Sequence, residues 1–181
     1  MKFTTMLILS GALLSAQDRP ANPLMATSKA IFGISKGDVL GSVDVIPENL
    51  WSYQPTKEVR TIGQLFAHIA DGQYEFCGVA VEGKPVSKNI EKTAKTKTEI
   101  VTALKDAFTY CDNAYSSITD TQASELVSFF GRKITKLGAL DFNTAHNMEH
   151  YGNLVTYMRL NSIVPPSSAP RKPASTGGTK E

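Results

Sequence analysis

The sequence predicts an all-α protein, built as a four-helix bundle with a long crossover connection between helices 3 and 4. Three observations predict this fold class. Four stretches carry apolar residues at helical spacing, proline and glycine separate them, and no strand-rich region or solenoid-length repeat is found. The length of 181 residues is that of a single domain.

The first two helices are predicted from apolar spacing and from the breaks that follow them. The first covers about 28–45 and ends before a proline. The second covers about 61–81 and stops at Gly83–Pro85. Trp51 and Tyr53 lie in the connection between them, and we expect these two aromatic side chains to cover one end of the core.

The third helix has the clearest start. Thr96 is followed three residues later by Glu99, which is a capping-box pattern, and the helix is expected to reach about Ile118. Residues 119–135 are mostly polar and predict a long connection that contains a helical turn or a short strand. The fourth helix is predicted over 136–160.

The N-terminus has the order of a secretory signal, and the alternative is a frayed N-terminal helix. Lys2 is followed by the apolar run Leu7–Leu14 and by small residues that end at Ala16. This run is about half the ~20 residues that span a bilayer, so we expect cleavage near Ala16 and an exported, periplasmic or secreted protein without a stable membrane anchor. The predicted organisation is a signal peptide at 1–16, a linker at 17–27, the helical domain at 28–164 and a disordered Pro/Ser/Gly/Lys tail at 165–181.

Formal charge excludes one class of partner. The net charge is +2, of which the leader contributes +1 and the tail contributes +2, so the body carries −1. A near-neutral body lacks the basic footprint of a nucleic-acid-binding protein.

The two cysteines, Cys77 and Cys111, fall in the second and third predicted helices. If those helices are antiparallel neighbours, the two residues lie at different heights, whereas a disulfide needs Cα atoms within about 7 Å. We therefore expect two buried free thiols. The cysteines lack the CxxC spacing of a zinc site.

The chain has three histidines. His146 and His150 are four residues apart on one face of the fourth helix, and His68 lies on the second. Together they could bind one ion and leave coordination positions open, as catalytic zinc sites do, although imidazole also suits nickel, copper and iron. The alternative is three hydrogen-bonded core histidines. The HExxH pattern is absent, and Glu149 points about 100° away from His150.

Four segments around these histidines resemble the DinB/YfiT-like metalloenzyme family over about residues 28–166: Trp51–Pro55, Val59–Ala70, His146–Gly152, and Tyr157–Asn161 with the following Pro165-Pro166. The resemblance implies a four-helix bundle in which His68, His146 and His150 hold a divalent metal ion, with zinc favoured and nickel as the second choice. Tyr151 departs from the basic or small residue that many relatives have after the last histidine.

Family relatives include thiol-dependent transferases and isomerases. The resemblance therefore implies a metal-dependent hydrolase or thiol-dependent transferase that acts on a small molecule, with a thiol as a candidate substrate, and the fold is compatible with a homodimer. The alternatives are a non-catalytic metal or small-ligand binder and a structural module that the ion stiffens. Asp71, Glu75 and Asn153 lie at helical offsets from which each could orient an imidazole or move a proton, and the favoured alternative for each is a solvated polar position. Glu75 is the best single candidate for a catalytic residue, because it lies seven residues beyond His68 on nearly the same face.

Overall fold

The computed structural model describes residues 20–170, and the predicted signal peptide and the tail from 171 onward lie outside this range. The described chain is mostly helical and includes one small antiparallel hairpin. None of its helices is both long enough and apolar enough to cross a membrane. The elements are α1 (Pro23–Val45), α2 (Ile62–Glu82), α3 (Ile90–Thr93), α4 (Lys97–Ser117), α5 (Asp120–Ala123), β1 (Leu126–Phe129), β2 (Arg132–Thr135) and α6 (Lys136–Leu160).

The four predicted helices correspond to α1, α2, α4 and α6, and the bounds of α6 agree with the prediction. The capping box at Thr96 and Glu99 is confirmed, and Thr61 forms a second one with Gln64. Helix α1 begins five residues earlier than expected, inside the predicted linker. Pro23 occupies its first turn, where a missing N–H costs nothing.

Residues in the predicted linker and in the predicted disordered tail are packed against the helices. The carboxylate of Asp120 accepts hydrogen bonds from the backbone N–H groups of Leu24 and Met25, which fixes the start of α1. At the other end, Pro166–Ser168 form a 3-10 turn, and Tyr151 donates a hydrogen bond to Ser167 at 2.7 Å. The first residues of the predicted tail are therefore packed against the helices.

Contacts along the helices give their directions. Helices α1 and α6 run parallel, since Ser28 bonds to Asp141 and Ser35 lies within hydrogen-bond distance of Asn147. Helices α2 and α4 also run parallel, because Gly63 faces Ile100 near the start of both. The two pairs are antiparallel to each other, and their apolar faces share one core.

These directions correct the predicted position of the crossover. Residues 118–135 form a long connection, as predicted, but they contain α5 and the hairpin and join neighbouring ends of α4 and α6. The segment that runs back along the molecule is 83–96, between α2 and α4. It lies on α2 because Asp71 accepts hydrogen bonds from the backbone of α3.

The prediction that Trp51 and Tyr53 cover one end of the core is confirmed. The indole ring of Trp51 is buried and stacks on Phe66 with ring centroids 5.1 Å apart. Tyr53 meets Tyr157 edge to face, and Tyr157 lies near the end of α6. The connection between α1 and α2 therefore closes this end of the helical core with aromatic side chains.

The expectation of free thiols is wrong, because Cys77 and Cys111 form a disulfide with Cα atoms 5.5 Å apart. The prediction assumed that the two helices are antiparallel, which would separate the residues in height. The crossover makes α2 and α4 parallel. Cys77 and Cys111, which both lie in the second half of their helices, are therefore at the same height in the bundle.

Removal of this disulfide is expected to destabilise the fold. The bond joins residues 34 apart, and the loss of that constraint on the unfolded chain corresponds to about 3–4 kcal/mol in the chain-entropy treatment. The double substitution Cys77→Ala/Cys111→Ala should lower the free energy of unfolding in urea by this order. Two reactive thiols in the wild-type protein, denatured without reductant, would contradict the bond.

Candidate metal centre

The three histidines lie on two antiparallel helices that face each other. His68 is in the first half of α2, and His146 and His150 are one turn apart on α6. The four-residue spacing puts both α6 imidazoles on the side that faces α2. The structure therefore brings together the three predicted ligands.

Their Nε2 atoms converge on one point. Nε2 of His146 lies 3.1 Å from Nε2 of His68 and 3.1 Å from Nε2 of His150, and one ligand atom from each residue lies within 4.8 Å of the others. Nitrogens that bind one ion at 2.0–2.1 Å would lie about 2.8–3.0 Å apart at neighbouring octahedral positions and about 3.3–3.4 Å apart in tetrahedral geometry. The two 3.1 Å distances lie between these values, so they fit neighbouring ligands of a single divalent ion of the first transition row.

Burial keeps these imidazoles uncharged at neutral pH. It lowers the pKa of His146 to about 3 and that of His150 to about 4, and each shift is increased by a second imidazole nearby. Burial also lowers the pKa of His68, with Arg60 adding to the effect. Neutral imidazoles offer the lone pairs that a metal ion requires, so the centre is already in its ligand form.

The opposite ring nitrogens of two histidines have polar neighbours. Nδ1 of His68 lies 3.2 Å from a carboxylate oxygen of Glu91, and Nδ1 of His150 lies 3.3 Å from the side-chain amide of Asn153. A ligating imidazole that uses Nε2 carries its proton on Nδ1, and an acceptor there fixes the tautomer and the ring orientation. Glu91 can supply that acceptor for His68. For His150 the neighbouring atom is the amide nitrogen of Asn153, which donates, so Asn153 would supply an acceptor only with its amide group turned over.

His146 is held by packing. Its ring lies against Gly72 of α2, where a Cβ atom would come within 2.6 Å of Cε1 and 2.8 Å of Nδ1. Phe76 packs on the same ring with centroids 5.1 Å apart, and Nδ1 is buried without a hydrogen-bond partner among the described residues. The absence of a side chain at position 72 therefore leaves the space that this ligand occupies.

Sequence reasoning missed Glu91. It lies on the one-turn helix α3, where one carboxylate oxygen accepts a hydrogen bond from Nε of Arg60 at 2.9 Å and the other faces His68. The acidic residue is separated from His68 by 23 positions, and only the path of the crossover brings them together. A short polar segment gives no periodic signal that could have indicated this contact.

Glu75 lies further along α2. Its half-buried side chain lines a cavity of about 300 Å³ together with Asp71 and the residues that follow α2. Within residues 20–170, no hydrogen bond joins its carboxylate to the three histidines. A catalytic role for Glu75 stays a prediction.

A larger cavity of about 640 Å³ opens beside His150. Its wall is mainly polar and carries both signs of charge, so it suits a small polar molecule that reaches the metal position. Its charged and phenolic side chains come from the connection before α2, from α3 and from the second half of α6: Lys57, Glu58, Arg60, Glu91, Glu149 and Tyr157.

Comparison with known proteins gives a family match over most of the described chain. The family model described as the DinB superfamily matches residues 35–154, which include all three histidines. The uncharacterized protein YjoA of Bacillus subtilis (strain 168) is 29% identical over 120 residues, covering 63% of this chain and 75% of YjoA.

Solved structures show the same fold. The crystal structure of the DinB-like protein YjoA from Bacillus subtilis superposes with a TM-score of 0.65 at 22% identity, covering 81% of this chain and 99% of that one. A DinB-like protein from Bacillus cereus ATCC 10987 gives 0.65 at 18% identity, with coverage of 78% and 93%. A histidine-to-alanine mutant of the mycothiol-dependent maleylpyruvate isomerase gives 0.63 at 12% identity, with coverage of 72% and 60%.

Proposed function

The chain belongs to the DinB superfamily, and on that premise we propose that it is a four-helix-bundle protein that binds one divalent metal ion through His68, His146 and His150 and uses it in catalysis. The observation that carries this proposal is the convergence of three neutral Nε2 atoms on one point. Three nitrogen ligands leave room for a substrate, as in catalytic rather than closed structural sites.

A divalent ion held there would supply Lewis acidity that activates water or a thiol for attack. Side chains around the centre would orient a ligand, limit access of water and bind the substrate. Glu91 holds the Nδ1 proton of His68, and the aromatic side of the centre at Phe76 limits access of water to His146. Lys57 and Arg60 offer positive charge to an anionic substrate in the adjoining cavity.

Glu149 is one of three carboxylates on the wall of that cavity, with Glu58 and Glu91. It can move a proton there although it points away from His150. It is exposed, and it lines the same wall as His150 and Tyr157. A carboxylate in contact with water can accept a proton from an attacking group and return it to a leaving group. This role complements the ligand set, because the imidazoles themselves are committed to the metal.

The reaction we propose is hydrolysis or thiol-dependent transfer on a small molecule. Likeness to a mycothiol-dependent isomerase supports the thiol-dependent class by fold-level analogy. A screen of zinc-loaded protein against esters, amides, and electrophiles with a low-molecular-weight thiol tests both classes. Turnover that disappears in His68→Ala supports an enzyme, whereas stoichiometric metal binding with no turnover in any arm favours the alternative of a metal carrier.

Zinc is the proposed ion and nickel the second choice, because no redox role has independent support. Three imidazoles do not by themselves select between them. Metal analysis of protein purified without chelators or added metal should give about one zinc per chain if this choice is right. A consistent one-to-one content of nickel would contradict the choice of zinc and leave the site intact.

Acid is expected to destabilise the metal-free protein and to release the metal. Unfolded histidines titrate near 6.5, whereas the folded pKa values are about 4 for His150 and about 3 for His146. Between these values the unfolded chain binds more protons, so stability falls as pH falls from about 6.5 towards 3. Urea unfolding of metal-free protein at pH 7 and pH 5 measures the effect, and His146→Ala/His150→Ala should reduce this pH dependence. An unchanged dependence in that variant would assign it to other groups.

We further propose that the protein is exported. The leader pattern at 1–16 and the buried disulfide between Cys77 and Cys111 both support this, because disulfides persist in oxidising compartments. The full chain expressed in an exporting bacterium should be recovered outside the cytoplasm with an N-terminus just after Ala16. Cytoplasmic protein that retains Met1 would contradict the proposal.

A further inference from the structure

We propose that Asp71 is a positioning residue for the metal ligand His68 and that it acts through Glu91. This inference rests on the proposed metal site. Asp71 itself touches neither His68 nor the metal position through a hydrogen bond. Its carboxylate instead fixes the crossover segment that brings Glu91 to the imidazole.

The first step is the bond between Asp71 and α3. One carboxylate oxygen accepts from the backbone N–H of Ile90 at 2.8 Å, and the other accepts from that of Glu91 at 2.9 Å. The residue before this helix, Asn89, has a φ of 55° and makes no side-chain cap. Asp71 therefore satisfies two backbone donors that α3 cannot satisfy itself.

The second step runs from the Glu91 backbone to its side chain. With its N–H held by Asp71, Glu91 directs one carboxylate oxygen to Nδ1 of His68 and the other to Arg60. His68 and Asp71 are three residues apart on α2. The contact of the Glu91 carboxylate with His68 and the bond of the Glu91 N–H to Asp71 therefore meet the same turn of this helix. The contacts form a closed ring, which limits how far the imidazole can rotate.

The chain offers a matched control for this arrangement. Asp120 makes the same pair of bonds, to the backbone N–H groups of Leu24 and Met25 at 3.1 and 2.9 Å. Neither its partners nor its own helix supplies a residue of the metal centre. Loss of Asp120 should therefore destabilise the start of α1 and leave the zinc affinity of the three histidines unchanged.

The test is zinc affinity, measured by competition with a chromophoric chelator on the full chain. Loss of a group that orients a metal-bound histidine typically weakens metal affinity 10–100-fold. We expect Glu91→Ala to fall in that range, Asp71→Ala to weaken binding by about tenfold, and Asp120→Ala to stay within about twofold of the wild type. Equal affinities of Asp71→Ala and the wild type would overturn the inference.

A double-mutant cycle separates positioning from general destabilisation. If Asp71 acts through Glu91, then Asp71→Ala/Glu91→Ala should bind zinc as Glu91→Ala does, because the second change has nothing left to disturb. Additive losses would overturn the inference. Asp71→Asn, which keeps one acceptor oxygen, replaces Asp71→Ala in the cycle if that variant fails to fold. A wild-type protein that binds no zinc would contradict the proposed function, whereas zinc binding that ignores Asp71 contradicts this inference alone.

Discussion

His68→Ala is expected to abolish stoichiometric zinc binding while leaving the helical fold intact. Since loss of an orienting neighbour costs 10–100-fold in metal affinity, loss of the ligand itself should exceed about 100-fold. Zinc at 100 times its dissociation constant stabilises a folded protein by about 2.7 kcal/mol, so it should raise the melting temperature of the wild type and leave that of the variant unchanged. Metal analysis and thermal melts with and without zinc measure both effects.

Met148→Ala is the control for this prediction. Met148 lies between the two α6 ligands, and 43% of its surface is exposed, so its truncation changes the same helix without removing a ligand. It should keep about one zinc per chain and the zinc-dependent rise in melting temperature. Wild-type zinc content in His68→Ala would show that His68 is not a ligand.

Gly72→Ala is expected to destabilise the fold and to weaken zinc binding, although it removes no polar group. The new methyl group would lie 2.6 Å from Cε1 and 2.8 Å from Nδ1 of His146, so the imidazole must leave its position. Overpacking of this kind costs about 1–3 kcal/mol, which outweighs the gain of about 1 kcal/mol from replacing a helical glycine by alanine. The displaced ligand should also weaken zinc binding more than tenfold.

Two further variants identify the cause. Gly33→Ala on α1 meets no atom within 4 Å and should be neutral or stabilising by up to about 1 kcal/mol, with normal zinc binding. Gly72→Ala/His146→Ala removes the clashing ring as well, so the double variant should be about as stable as His146→Ala alone. It should still bind zinc weakly, because the ligand is absent. Chemical unfolding and chelator competition measure the two properties. A Gly72→Ala protein with wild-type stability and affinity would contradict the proposed close packing of His146.

Local features of the sequence predicted the ligand helices well. The bounds of α6 and the capping box at Thr96 follow from apolar spacing and from short-range hydrogen bonds, which depend only on neighbouring residues. The four-residue separation of His146 and His150 fixes their common face in the same way. The meeting of these two residues with His68 is the non-local step, and the family resemblance implied it.

Features that depend on chain direction were not predictable. The disulfide between Cys77 and Cys111 requires α2 and α4 to be parallel, and the contact of Glu91 with His68 requires the crossover to run back along α2. Both follow from the path of residues 83–96, which carry no periodic pattern. Gly72 was missed for a related reason, because the importance of an absent side chain becomes visible only when the facing helix is in place.

The most direct test of the central claim is a crystal structure of zinc-loaded protein with anomalous diffraction recorded on both sides of the zinc absorption edge. We expect one anomalous peak per chain, about 2.0–2.1 Å from Nε2 of each of His68, His146 and His150. A zinc peak elsewhere on the chain, with none between these three imidazoles, would contradict it.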